Sequence, residues 1–200
     1  VKNITESGYA ESGGQWINDG EVLIYYSDKQ GFRSHGSWGS TGDAFAVYLT
    51  KESYEKAKLS KEEYKIWEDQ QKEAQDDDGK EEKDKSKTPK PVNIEWEGLE
   101  DRLERLTLSS SFISDMKVSP DGETLYYISS RDNSYDLWEL NIREKKTKTI
   151  GNFKGGGVSL AIDQKGENLF VLAGGRLYKV ETKSGKSKPV SFKAEMVLDE

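Results

Sequence analysis

The fold is decided by residues 116–142, MKVSPDGETLYYISSRDNSYDLWELNI. Residues 119–122, SPDG, have turn chemistry, because Pro presets φ, Asp bonds its own backbone and Gly accepts a positive φ. Residues 123–129 are rich in Leu, Tyr and Ile and predict a strand. A polar break at residues 130–134 separates it from a second predicted strand over residues 135–142. The stretch therefore predicts one hairpin of a β-meander.

This hairpin recurs along the chain. A Gly-Glu-x-Leu motif followed by aromatic and aliphatic residues begins at Gly20, Gly122 and Gly166. Further strands follow each copy, at residues 44–50, 136–142 and 176–182, and more faintly at 101–107, 146–151 and 188–192. The second and third copies lie 44 residues apart (166 − 122), which matches the roughly 40 to 45 residues of a four-stranded propeller blade. The first and second copies lie 102 residues apart (122 − 20), one period plus an insertion.

The insertion, residues 51–91, is rich in Lys, Glu and Asp. Ser60 and Glu63 have the spacing of a capping box, so a helix is predicted to begin at Lys61 and end near residue 74. Thr50 is predicted to cap a shorter helix before it. Residues 76–91 form a mixed-charge tract that cannot bury apolar surface, and we expect a mobile, solvated tip. The alternative is a docking tail, and the mixed signs count against it.

Together these patterns predict an all-β fold of three four-stranded β-propeller-type blades, with a helical hairpin inserted in the first blade. The expected boundaries are 1–50 with 92–110 for the first blade, 51–91 for the insertion, 111–152 for the second blade, 153–195 for the third, and 196–200 for the start of a linker to a downstream domain. Three blades cannot close a ring, since propellers have about four to eight. We therefore expect one of three arrangements: an open arc, a swapped assembly or homo-oligomer, or a set of blades rearranged against one another.

Composition narrows the function classes. The chain has 30 basic and 37 acidic residues, a net charge of −7, which argues against a nucleic-acid-binding surface. No stretch approaches the roughly 18 to 20 apolar residues of a membrane span. The absence of Cys excludes disulfides, thiolate metal sites and a Cys nucleophile, and fits both the cytosol and the cell envelope. A start at Val1 and an end without a closing element make us expect a piece of a longer protein.

No motif for catalysis is found. The single histidine, His35, cannot build a His-based metal site, and no acidic cluster has the spacing of a calcium loop. Residues 36–39, GSWG, have the wrong spacing for a nucleophile elbow. Residues 155–157, GGG, lack the Lys and the following helix of a phosphate-binding loop. We therefore predict no catalytic residue, no metal and no cofactor in this chain.

The candidate binding residues lie in one Gly/Ser-rich loop, residues 30–40, QGFRSHGSWGS. Arg33, His35 and Trp38 make it cationic and aromatic, which suits contact with a peptide or an anionic ligand. The alternative is a loop whose side chains only bond to the loop itself. Because connections in a meander alternate between the two ends of a sheet, this loop is predicted to lie opposite the helical insertion.

A family resemblance follows from motifs spread over the chain. SPDGETLYYIS with Asp136, Leu137 and Trp138 resembles the WD40-like repeats of bacterial propellers. More specific is the order of FRSHGSW (32–38), AVYLT (46–50), LSKEEY (59–64), a Lys/Glu/Asp tract, WEGLEDR (96–102) and EMVLD (195–199). This order resembles the last propeller blades of tricorn-type peptidases, notably the bacterial ones of the S41 serine peptidase class. The resemblance covers essentially the whole chain.

The resemblance implies a non-catalytic propeller that positions, filters or gates peptides or unfolded polypeptide for a catalytic domain. In that family a PDZ domain and the catalytic domain follow in the same parent chain, so no catalytic Ser or His is carried onto any residue here. Two alternatives stay open: the propeller of a prolyl-oligopeptidase-like hydrolase, and a non-enzymatic interaction scaffold. For compartment, we favour the periplasm or cell envelope over the cytoplasm.

Overall fold

A computed structural model describes residues 2–37, 39–77, 91–131 and 134–191. This part of the chain is mostly β, with three four-stranded antiparallel sheets whose strand order follows the chain. The first sheet contains β1 (Glu11–Ile17), β2 (Val22–Ser27), β3 (Asp43–Tyr48) and β4 (Leu103–Arg105). The second contains β5 (Phe112–Val118), β6 (Thr124–Arg131), β7 (Ser134–Asn141) and β8 (Lys146–Lys154). The third contains β9 (Ser159–Ile162), β10 (Asn168–Ala173), β11 (Arg176–Glu181) and β12 (Ser187–Pro189).

The second sheet is buried on both faces. Leu125 and Tyr127 belong to the core shared with the first sheet. Tyr126 and Ile128 belong to the core shared with the third sheet. Because successive side chains of a strand point to opposite faces, the continuous run LYYI supplies both cores at once.

The first strands of the sheets are neighbours, β1 with β5 and β5 with β9. Polar links join them: Gln15 Nε2 donates to the Met116 carbonyl at 2.7 Å, and the Leu160 amide donates to Asp115 Oδ2 at 2.8 Å. The sheets therefore stand side by side about their first strands. This arrangement is consistent with part of a β-propeller.

The predicted SPDG turn is present between β5 and β6. The Glu123 amide donates to Asp121 Oδ1 at 3.0 Å, and Gly122 has a φ of 75°. A Cβ on Gly122 would also lie 2.2 Å from Asn18 Oδ1, in the turn between β1 and β2. Glycine is needed here both for the backbone conformation and for the close approach of the two turns.

Two helices, α1 (Lys51–Lys58) and α2 (Lys61–Asp77), follow β3 and together form the helical segment. Both predicted caps are present: the Ser53 amide donates to Thr50 Oγ1, and Ser60 and Glu63 bond each other's amides reciprocally. Neither described helix is long and apolar enough to span a membrane. Residues 78–90 of the predicted mobile tip, and the predicted linker at 196–200, lie outside the described residues.

The connections fall at two ends of the sheets. We call the end with the turns at residues 18–20 and 119–122 the turn face, and the end with residues 28–42 the loop face. The helical segment lies at the turn face, where Lys56 and Tyr64 line a common cavity with Asn18 and Asp121. The predicted separation of the helical segment from the 28–42 loop is therefore confirmed.

Candidate functional site

The loop face is organised around Asp28, which follows β2 directly and is buried. Its carboxylate accepts hydrogen bonds from the Ala10 amide at 3.0 Å, from Ser40 Oγ at 2.9 Å and from the Arg33 guanidinium at 3.1 Å. These donors hold the pKa of Asp28 below its usual range, the Ser40 hydroxyl most of all. Asp28 thus stays charged and ties the N-terminal segment and both sides of the loop to one point.

The loop itself is a small hairpin. Arg33 and Ser40 form a β-bridge, and the Thr41 amide donates to the Phe32 carbonyl at 2.9 Å. The two sides approach so closely at Gly31 that a Cβ there would lie 1.6 Å from the Thr41 carbonyl oxygen. Glycine is therefore required at this position, and the loop has a defined shape.

A cationic and aromatic surface lies at this hairpin. The Arg33 guanidinium carbon is 4.9 Å from the centre of the Tyr9 ring, within the range of a cation–π contact, while 54% of the side chain stays exposed. Phe32 is 76% exposed. His35 is exposed in a single 3-10 turn, His35–Ser37. Trp38 lies outside the described residues.

A second buried carboxylate fixes the loop to the rest of the protein. Asp43, at the start of β3, is fully buried and accepts from Arg105 at 2.8 Å, from Thr107 at 2.7 Å and from Ser110 at 2.7 Å. The adjacent Gly42 forms a β-bridge with Ser111, which leads into β5. The loop is therefore held rigidly against the connection between the first and second sheets.

This arrangement suits binding better than catalysis. A guanidinium presents several N–H donors in a fixed fork that matches carboxylates. The hydrogen bond to Asp28 uses one of its nitrogens, Nη2, and the Tyr9 ring lies over the guanidinium. The exposed Phe32 and Tyr9 rings provide apolar contact beside that charge. Among the described residues no three His, Asp or Glu side chains are grouped to hold a metal ion.

Of the three predicted contact residues, the structure therefore places Arg33 and His35 on one loop. Sequence reasoning missed Tyr9, Asp28 and Phe32. A signal was available for Asp28, since an acidic residue directly after an aromatic strand and shortly before an Arg is placed to form an ion pair. Nothing local indicated Tyr9, which reaches Arg33 from the N-terminal segment.

A cavity of about 230 Å³ at the turn face is a weaker candidate. It lies between the helical segment and the turns of the first two sheets. The Tyr64 ring in its lining already contacts cations of the protein itself: Lys56 Nζ is 5.8 Å and the Arg143 guanidinium is 3.8 Å from the centre of that ring. These contacts serve to hold the helices in place.

Comparison with known proteins identifies the architecture. No protein-family model matches the chain, and no curated protein does. Among solved structures, the tricorn protease superposes with a TM-score of 0.54 at 10% identity, over 94% of this chain and 18% of that chain. TolB from Acinetobacter baumannii superposes with a TM-score of 0.52 at 12% identity, over 95% of this chain and 34% of that chain. An acylaminoacyl peptidase from Pyrococcus horikoshii superposes with a TM-score of 0.50 at 10% identity, over 94% of this chain and 26% of that chain.

These identities show the fold alone. The fold they share with this chain, together with its three side-by-side meanders, is that of part of a β-propeller. The chain spans about a third or less of the length of each of these proteins.

Proposed function

We propose that the chain is the non-catalytic β-propeller region of a tricorn-like serine peptidase of the S41 class. Each four-stranded sheet is one blade, and the loop face positions or gates peptides for a catalytic domain of the parent chain. In the parent chain a PDZ domain would lie between the propeller and the catalytic domain. The proposed compartment is the cell envelope. Two of the structures described above are peptidases by name, which supports a peptidase-associated propeller.

The observation that carries the proposal is the Arg33 hairpin. Its shape is fixed by Asp28 and Gly31, yet it exposes a guanidinium and the Phe32 ring to solvent. Peptide binding would be favoured by burial of apolar surface on the Phe32 ring. It would also be favoured by pairing of a peptide carboxylate or carbonyl with Arg33. His35 and Trp38 extend the same loop and complete the proposed contact.

A second candidate is the propeller of a prolyl-oligopeptidase-like hydrolase, which the likeness to an acylaminoacyl peptidase favours. The sequence downstream in the parent gene separates the two. A PDZ domain supports the first candidate, whereas an α/β-hydrolase domain with a Gly-x-Ser-x-Gly motif supports the second.

Binding of fluorescein-labelled casein peptides, measured by fluorescence anisotropy, tests the proposal. Arg33→Ala and Trp38→Ala are each expected to weaken binding about three- to tenfold, or roughly 0.7 to 1.4 kcal/mol. Lys146→Ala is the matched control, because its side chain is 75% exposed and lies at the turn face. Equal affinity for all four proteins, or no binding by the unsubstituted chain, would overturn the proposal.

A further inference from the structure

The segments that connect strands at the loop face are basic, although the whole chain has a net charge of −7. Besides residues 28–42, three described segments lie at this end of the sheets: residues 106–112, 154–158 and 173–176. The only acidic residue in these four segments is Asp28, which is buried and bound to Arg33. Four exposed cations stand against it, a net charge of +3 (4 − 1): Lys29, Arg33, Lys154 and Arg176.

Other acidic side chains do not cancel this charge. Glu11, at the loop-face end of β1, is half-buried and accepts from Thr5 Oγ1 at 2.6 Å. Glu6 lines a depression with Trp96 and Glu100, near the turn face. The five tight turns at the turn face, by contrast, mix seven acidic with five basic residues, in segments 18–21, 119–123, 142–145, 163–167 and 182–186. The positive charge is therefore a property of the loop face.

Large apolar side chains are exposed at the same end of the sheets. Leu108, in the connection from β4 to β5, is 59% exposed, and Phe112, the first residue of β5, is 53% exposed. Between them in the chain, the Ser110 hydroxyl donates to the Gln30 carbonyl at 3.3 Å, so this segment adjoins the hairpin that carries Phe32. The loop face therefore offers apolar contact on the first two sheets as well as positive charge.

The cations are spread over all three sheets. Arg33 belongs to the first sheet, Lys154 ends the outer strand of the second, and Arg176 begins β11 of the third. Packed sheets lie about 10 Å apart, so the first and third are separated by about 20 Å. A single C-terminal carboxylate cannot contact cations at both ends of that distance, whereas an extended peptide covers it with about six residues.

We propose that the loop face selects acidic peptides, that is, extended segments that carry several Asp or Glu side chains together with apolar ones. This rests on the proposed function of the loop face and names the class of peptide that it takes. The carboxylates pair with cations of all three sheets, and the apolar side chains cover Phe32, Leu108 and Phe112. The aliphatic Leu108 and the small number of cations favour a peptide over a single-stranded nucleic acid, which binds through aromatic stacking and a continuous basic groove.

Fluorescence anisotropy with matched peptides tests this preference on the whole chain. The peptides have about twelve residues, twice the estimated span, and share the same apolar residues and a neutral BODIPY label. The acidic peptide carries several Glu residues and an amidated C-terminus, the amide peptide has Gln at those positions, and a third peptide is the amide peptide with a free C-terminal carboxylate. The acidic peptide is expected to bind at least about tenfold more tightly than either of the others at low salt. This difference should shrink between about 0.02 and 0.5 M NaCl, because salt screens exposed charges.

Charge reversal tests whether the cations outside the Arg33 hairpin take part. The double variant Lys154→Glu, Arg176→Glu is expected to weaken binding of the acidic peptide at least about tenfold and to leave the amide peptide within about twofold. The matched control is Lys183→Glu, Lys186→Glu, which changes the net charge by the same amount at exposed positions of the turn face. The control is expected to bind both peptides within about threefold of the unsubstituted chain, because charges beyond a Debye length are screened.

Equal affinity for the acidic and amide peptides would overturn the preference for acidic peptides. So would a free C-terminal carboxylate that restores tight binding by itself, equal losses in the two double variants, or tighter binding of a single-stranded oligonucleotide of the same charge. The amide peptide keeps this test separate from the proposed function. If it binds and Arg33→Ala weakens that binding, the loop face still handles peptides whatever the fate of the acidic preference, whereas binding of none of the three peptides would overturn the proposed function itself.

Discussion

The guanidinium of Arg143 lies 3.8 Å from the centre of the Tyr64 ring, across the gap between the second sheet and α2. Its Nη1 also donates to the carbonyl oxygens of Lys56 and Leu59 at 3.0 and 2.9 Å, where α1 ends. A cation is favoured there because the helix dipole places partial negative charge at the C-terminal end of α1. This one side chain of the second sheet therefore holds both helices of the helical segment.

Replacing Arg143 by Ala is expected to lower the free energy of unfolding by about 2 to 3 kcal/mol, because charged hydrogen bonds to two carbonyls are lost from a largely buried position. Urea unfolding measures this. Amide exchange in α1 and α2 is expected to speed up more than exchange in the sheets. Arg176→Ala, at an exposed position, should stay within about 0.5 kcal/mol. Equal stability and unchanged exchange in the Arg143 variant would contradict this account of how the helices are held.

Gly42 tests the packing of the loop face. A Cβ at this position would lie 2.4 Å from the ring of Tyr26 in β2, which packs against the core between the first and second sheets. Gly42→Ala is therefore expected to cost about 1 to 3 kcal/mol through overpacking. Gly156→Ala is the matched control, since nothing lies within 4 Å of its Cβ position. Thermal unfolding of the two variants checks this, and equal melting temperatures would count against the described contact.

Asp28 gives the loop a defined pH dependence. Its pKa is lowered in the folded protein, mainly by the Ser40 hydroxyl and further by the Ala10 amide and Arg33. A carboxyl whose folded pKa is depressed adds stability above its unfolded pKa of about 4, and that stability is lost as the pH falls through the folded pKa.

The stability difference between the unsubstituted chain and Asp28→Asn is therefore expected to be constant from neutral pH down to about pH 5 and to shrink below about pH 4. Denaturant unfolding over this range measures it, and NMR titration gives the pKa directly. A measured pKa at or above the ordinary value, or a difference that grows in acid, would show that the carboxylate is not the anchor of the loop.

What the sequence predicted is local. The SPDG turn, the strand repeats and the Thr50 and Ser60 caps depend on residues within a few positions of each other, so composition and spacing reveal them. The continuous LYYI run also indicated a strand, although only the structure shows that its alternate residues serve two different cores.

The features that could not be predicted from the sequence depend on contacts between residues that are far apart along the chain. The Ala10 amide reaches Asp28 across 18 positions, and Arg143 reaches Lys56 across 87. No periodicity marks such pairs, because each forms only when the sheets and helices are already packed. The loop with Arg33 and His35 could thus be singled out from its composition, whereas its anchors and its Tyr9 partner could not.

The proposed function requires that peptides bind at the loop face and not at the helical segment. An NMR titration of the isotope-labelled chain with casein peptides tests this most directly, because each backbone amide reports its own contact. We expect shift changes that saturate together and cluster at residues 9–10 and 28–41. Changes centred on α1 and α2, or none anywhere at peptide concentrations that saturate the anisotropy signal, would contradict it.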